Sequence, residues 1–310
     1  MILKNNRNVS LGIVLVGFVV FMWGITFVST KSLVNDFSAL EILCVRFLLA
    51  YFTLWILHPK VAHLPHWRDE ILFCIAGLSG ITVYQFLENM ALTFSSASNV
   101  SVIVSLAPIF SAVTAQVFLK EKHITLFFLA GFVVAMAGVA LVSFNGAKTF
   151  HVNPIGDALA LSSSVSWSFY TLVVTKINAL PIHKLAATRR IFFWALLWMI
   201  PFVLFGALTK TGNESEVARV VFSANVNQMR FSKLLNWINF LFLGVIASAL
   251  CFAAWNTACE KLGTMRATLG IYLIPVVTIV FAFIFLGEKI TALGLLGALL
   301  AIAGLIISNV

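Results

Sequence analysis

The sequence predicts an all-α membrane protein in which ten transmembrane helices form two inverted five-helix repeats. Three observations carry this expectation. Of 310 residues, 61% are hydrophobic and only 10% are charged, with a mean hydropathy of +1.03, whereas soluble domains carry roughly 25% charged residues. The apolar residues fall in unbroken runs of about 20, the length a helix needs to cross the hydrocarbon, while barrel strands would alternate over about ten. Finally, one motif recurs. Adding 167 to the numbers of the stretch from Tyr84 to Lys122 brings Asn89 onto Asn256, Leu106 onto Leu273, Pro108 onto Pro275 and Glu121-Lys122 onto Glu288-Lys289.

The predicted spans are 11–30, 38–58, 70–92, 96–119, 124–144, 155–176, 185–208, 236–260, 265–287 and 290–308. The first follows Lys4 and Arg7 as a signal peptide would, but no small-residue cleavage pattern ends its apolar run, so it is expected to remain as a span. With the N-terminus cytoplasmic, the outer basic residues are Lys31, Lys148, Lys210, Arg219, Arg230, Lys233 and Lys289, and four of these seven share one long loop at about 209–235. The short loops therefore favour both termini inside. That external loop reads equally as a short surface helix or as an irregular connector. Five spans is an odd number, so the second unit, 147–310, is expected to run upside down relative to the first, 1–146. Gly77 answers Gly244, and after the extra His123 an offset of 166 aligns Gly131 with Gly297 and Ala137-Gly138 with Ala303-Gly304.

The net charge of +9 does not point to nucleic acid, because no Lys/Arg cluster is interleaved with aromatics and the charges lie between apolar runs. Cys44, Cys74, Cys251 and Cys259 all sit inside apolar stretches without CxxC or metal-ligand spacing, so no metal or other cofactor is expected. No Ser/His/Asp set, HExxH, P-loop or GxGxxG is present, which leaves a protease or an ATP-driven pump without support.

A charge inside a span is costly and usually faces a cavity and finds a partner. Arg46 lies about eight residues from the outer end of its span and Glu88 about five from the outer end of its own, so at ~1.5 Å per residue the two reach similar depth and could pair. The alternative is a structural ion pair or a side chain reaching the interface. Tyr84 precedes Glu88 by one turn and shares its face. Asn89 neighbours that face, and its repeat mate Asn256 follows Trp255; buried amides also serve simply as glue between helices. Trp23, Trp167, Tyr170 and Tyr272 are candidate aromatic lining. Pro108 and Pro275 each lack an amide hydrogen and disturb the carbonyl four residues earlier, Val104 or Ile271, so both are predicted helix kinks. Arg189, Arg190 and Glu260 are candidates for an inner gate, ordinary wet charges being the alternative. Glu121, Glu288 and Asp157 read as caps on the helices that follow them.

These residues resemble the EamA family of the drug/metabolite transporter superfamily. The resemblance rests on the doubled P-x(12)-E pattern of Pro108/Glu121 and Pro275/Glu288, on Gly131/Gly138 and Gly297/Gly304, on the Gly156-Asp157 start of the second half, and on a tryptophan in the first span of each half. It implies a five-plus-five inverted repeat, a cavity formed mainly by spans one to four and six to nine, spans five and ten as scaffold, and movement of small metabolites, often amino-acid export. The long outer loop departs from the compact family pattern. The expected protein is then not an enzyme but a secondary transporter of the bacterial cytoplasmic membrane, working by alternating access, with the lipid bilayer and a small-molecule substrate as partners. Glu88 is the candidate carrier of a coupling proton, which a facilitated exporter would not need. Oligomeric state is left open. The rivals are a nucleotide-sugar or lipid-linked substrate translocator, which should show a more basic cavity, and an integral membrane enzyme, which needs a polar constellation on one leaflet.

Overall fold

A computed structural model of the chain describes residues 2–120, 124–143, 153–209, 228–288 and 291–308. Every regular element among them is helical. In chain order these are α1 (Ile2–Leu33), α2 (Ala39–Leu57), α3 (Trp67–Phe94), α4 (Ala97–Phe118), α5 (Leu126–Ser143), α6 (Pro154–Asn178), α7 (Lys184–Thr209), α8 (Leu234–Leu262), α9 (Thr264–Leu286) and α10 (Ala292–Ser308). Eight of these helical stretches are long and apolar enough to cross a membrane, while the apolar runs Leu126–Gly138 and Ala292–Ser308 are shorter. Their outward faces carry exposed Ile13, Val14, Phe52, Ile56, Leu126, Leu204 and Phe285, an apolar surface suited to lipid rather than water.

Helix ends are fixed by local chemistry. Ser38 opens α2 with a capping box, since its hydroxyl accepts the Glu41 amide and the Glu41 carboxylate accepts the Ser38 amide at 2.9 Å. Ser96 accepts the Asn99 amide at the start of α4, and Asn153 accepts the Gly156 amide at the start of α6. Gly263 and Gly287 end α8 and α9 with φ of +84° and +68°, a region open to glycine at no steric cost.

Both halves interrupt their helices at matching places. α3 and α8 each contain a π-helical segment, Gly77–Val83 and Phe242–Leu250. α4 breaks at Ser105-Leu106 before Pro108, and α9 passes through a 3₁₀ turn, Gly270–Leu273, before Pro275. Hydroxyls lie near the carbonyls freed by the two prolines: Ser164, shared among the Ala160, Ile103 and Val104 carbonyls, is 3.3 Å from Val104 O, and Ser105, whose shorter bond of 2.8 Å goes to Ser101 O, is 3.4 Å from Ile271 O. Such donors satisfy backbone that would otherwise be orphaned in an apolar medium.

α5 and α10 lie side by side. A Cβ built on Gly131 would stand 2.6 Å from Gly304 O, and one on Gly304 would stand 2.5 Å from Gly131 O, so close backbone approach excludes any larger residue at either position. The remaining helices enclose one core rich in aromatics. Turns cluster at two ends. The first, marked by Asp36, gathers the connections after α1, α3 and α9 and the start of α6; the second, marked by His58, gathers those after α2, α6 and α8. Glu121, Lys122, His123 and Lys148 lie outside the described residues, as do residues 210–227 of the loop expected at about 209–235.

Candidate functional site

The middle of the molecule holds a small cavity of about 20 Å³, lined by Trp23, Thr26 and Phe27 of α1, Arg46 of α2, Tyr84, Gln85 and Glu88 of α3, Trp167 of α6, Phe252 of α8 and Ile274 of α9. Arg46 and Glu88 are 1% and 2% exposed, so both charges are removed from water, an arrangement costing several kcal/mol unless hydrogen bonds and countercharge offset it. Arg46 Nε donates to Ser248 Oγ at 2.6 Å and its Nη1 to Gln85 Oε1 at 2.6 Å. Glu88 interacts electrostatically with Tyr84 and Arg46. Among the described residues no ion pair within 4.0 Å joins Arg46 to Glu88, which could have paired, although each feels the other's charge. The π-helical segment of α8 presents Ser248, and the turn at Tyr84 presents Gln85, so neutral partners occupy the guanidinium. Neither could be read from span depth alone.

The predicted aromatics divide into two groups. Trp23 packs against Trp167 edge-on at 5.4 Å and against Trp255 at 5.1 Å, and Tyr84 and Tyr170 pack at a tilt against Trp167 at 4.9 and 4.8 Å. Trp23 Nε1 donates to Ala247 O at 3.0 Å, a carbonyl inside the α8 π-helical segment, whereas the buried indole nitrogens of Trp167 and Trp255 have no acceptor among the described residues. Tyr170 donates to Asn256 Oδ1 at 3.1 Å, and Asn256 Nδ2 donates to Thr188 at 2.9 Å, joining α6, α8 and α7. Tyr272 is not part of this group. It packs with Ala112, Phe128, Ala135 and Leu269, because the 3₁₀ turn that holds it faces α5 and α10 rather than the cavity. Asn89 is likewise a fastener, donating to Ala39 O at 3.2 Å.

A second cavity, of about 540 Å³, opens at the His58 end. Ser111, Thr171, Thr175, Asn178, Cys259 and Thr264 line it, with Glu260 and Arg266 among its charged residues. Of these, sequence reasoning singled out only Glu260 as a candidate site residue, since scattered hydroxyls in apolar helices carry no periodic signal. Arg189, Arg190 and Glu260, the candidate inner gate whose alternative was ordinary wet charges, do not pair with one another among the described residues. Arg190 pairs with Glu70 at 2.6 Å and Glu260 with Lys184 at 3.4 Å, while Arg189 donates to the carbonyls of His58 and Lys60. Helix α7 brings its arginines against the α2–α3 connection, so Glu70 is the nearer carboxylate. Glu288 caps α4 rather than the helix that follows it, accepting from the Ala97 amide at 3.3 Å and from the Ser98 hydroxyl.

Apolar helices of spanning length around a buried charged centre, with a polar cavity opening at one end, define a multi-pass membrane protein built for passage of a small molecule. The chain belongs to the EamA-like transporter family, which it matches over residues 10–144 and 154–310, and thus to the drug/metabolite transporter superfamily. It is 28% identical over 81% of its length, and 77% of the relative's, to a probable terminal-alkyne amino-acid exporter of Streptantibioticus cattleyicolor. It is 25% identical to a probable amino-acid metabolite efflux pump of Escherichia coli, over 95% of this chain and 93% of that one. A solved crystal structure of a protein superposes with a TM-score of 0.68 at 14% identity, over 97% of this chain and 96% of the other, a likeness of fold alone. The protein is a small-molecule transporter.

Proposed function

We propose that this transporter exports amino acids or related small metabolites across a bacterial cytoplasmic membrane by alternating access. In this reading ten helices span the membrane as two inverted repeats, 1–146 and 147–310, with both termini cytoplasmic. The carrying observation is the buried Arg46–Gln85–Ser248 network beside Glu88, at a cavity shared by helices of both halves. A carboxylate and a guanidinium held apart by neutral partners suit a ligand bearing both charges, because each can meet its opposite on the substrate. The two family matches, the paired π-helical segments and the paired prolines support the inverted repeat. The amino-acid export named for the two relatives above supports the substrate class.

Thermal unfolding of the purified protein across amino acids, nucleosides and sugar phosphates tests the assignment. A ligand at about 100 times its Kd adds about 2.7 kcal/mol to native stability. Amino acids should raise the unfolding temperature, and Glu88→Gln should abolish that rise. A rise with nucleotide sugars alone would transfer the protein to the nucleotide-sugar translocators.

A further inference from the structure

The turn between α3 and α4, residues 94–97, is held from three sides at the Asp36 end. Lys31 of α1 donates to Leu92 O at 2.7 Å and to Ser95 O at 2.8 Å, satisfying carbonyls left over at the end of α3. Glu288, just beyond α9, accepts from the Ala97 amide and the Ser98 hydroxyl at the start of α4. Asn153 of the α6 cap donates to Phe94 O at 3.0 Å, and Asn99 donates to Asp157 at 2.8 Å. The cation therefore sits on a helix C-terminus and the anion on a helix N-terminus, each where the backbone dipole favours it, and Lys31 and Glu288 also attract one another. The repeat offset of 167 maps this turn onto residues 261–264, at the His58 end. There Leu262, Gly263 and Thr264 border the cavity of about 540 Å³.

We infer that Lys31 and Glu288 are positioning residues for transport, forming a latch that clasps the α3–α4 turn to α1 and α9 and keeps the Asp36 end shut while the His58 end is open. Opening the first end requires Glu288 to release Ala97 and Ser98. The latch rests on the alternating-access reading, yet its test needs no substrate, so the two can fail separately.

The test places a single cysteine in the central cavity, Thr26→Cys, in a chain whose Cys44, Cys74, Cys251 and Cys259 are replaced by alanine. Labelling by a membrane-impermeant maleimide is measured from each face of sealed vesicles, and Asn35→Cys in the same background marks the face of the Asp36 end. Glu288→Ala should raise labelling from that face by about tenfold, on the scale of one lost hydrogen bond to a charged group, and lower it from the opposite face. Glu288→Asp should restore the original ratio in part. Should Glu288→Ala fail to accumulate, Ser98→Ala removes only the hydroxyl donor and should move the two rates in the same opposed directions. Rates unchanged from both faces, or moved together as general loosening would move them, overturn the latch.

Discussion

The two ends of the molecule are finished differently. At the Asp36 end charged groups bridge the helices: Arg230 pairs with Glu41 at 3.0 Å, Lys233 with Asp36 at 2.7 Å, and Lys31 and Glu288 hold the 94–97 turn. At the His58 end ion pairs also join helices, Arg190 with Glu70 at 2.6 Å and Lys184 with Glu260 at 3.4 Å, but the turn corresponding to 94–97 lies against a cavity of hydroxyls, beside the 2.8 Å contact of Thr175 with Thr264. Symmetry of sequence therefore does not impose symmetry of closure. Under the proposed alternating access, each end needs contacts strong enough to hold and few enough to release.

The largest change is expected where the comparison begins, at the centre shared by both ends. Arg46→Ala leaves Ser248, Gln85 and Glu88 without their buried cation and should cost about 3–5 kcal/mol, read as a fall in the temperature at which detergent-solubilised protein loses monodispersity. Retention of the original temperature would mean that water already reaches this centre.

Next come paired substitutions at the two ends. Asn99→Ala removes the tie from α4 to Asp157 at the closed end and should cost about 1 kcal/mol, while Thr175→Val at the open end should cost less than half as much, because its contact borders a wet cavity. Equal losses would erase the distinction between the ends.

The smallest effect is on pH. Hydrogen bonds from Lys233 and Asn236 hold the Asp36 carboxyl below its ordinary value of 3.8. A depressed carboxyl stabilises the fold above its unfolded pKa, and that contribution disappears as pH falls through the folded value. Lys233 is 53% exposed, so the link is worth less than about 1 kcal/mol. The difference in unfolding temperature between the original protein and Asp36→Asn should vanish in strongly acidic buffer. A difference that persists there would place its origin outside this ion pair.

The helices were legible because apolar runs and caps such as Ser38 and Ser96 are local features. The prolines forecast which carbonyls would be freed, Val104 and Ile271, though not that Ser164 and Ser105 would answer them. Arg46 and Glu88 stood out as charges in an apolar chain. Gln85 and Ser248 did not, since a neutral polar residue in a span becomes informative only when its neighbour across the bundle is known. The π-helical segments were illegible for a related reason: they are marked only by Gly77 and Gly244, and glycine in a membrane helix has many uses. Tyr272 and Glu288 were assigned by sequence position, and tertiary packing placed both elsewhere.

Flux is the most direct test of the central claim, that Glu88 and Arg46 form the site through which substrate passes. Purified protein in proteoliposomes should exchange a labelled amino acid, recovered chemically unchanged, and Glu88→Gln should abolish the exchange while the protein still inserts and keeps its unfolding temperature. The pH dependence of the same flux decides whether Glu88 also carries a proton: a dependence lost in Glu88→Gln assigns one, and pH-independent flux removes it. Exchange undiminished in Glu88→Gln would contradict the account and move the substrate path away from this centre.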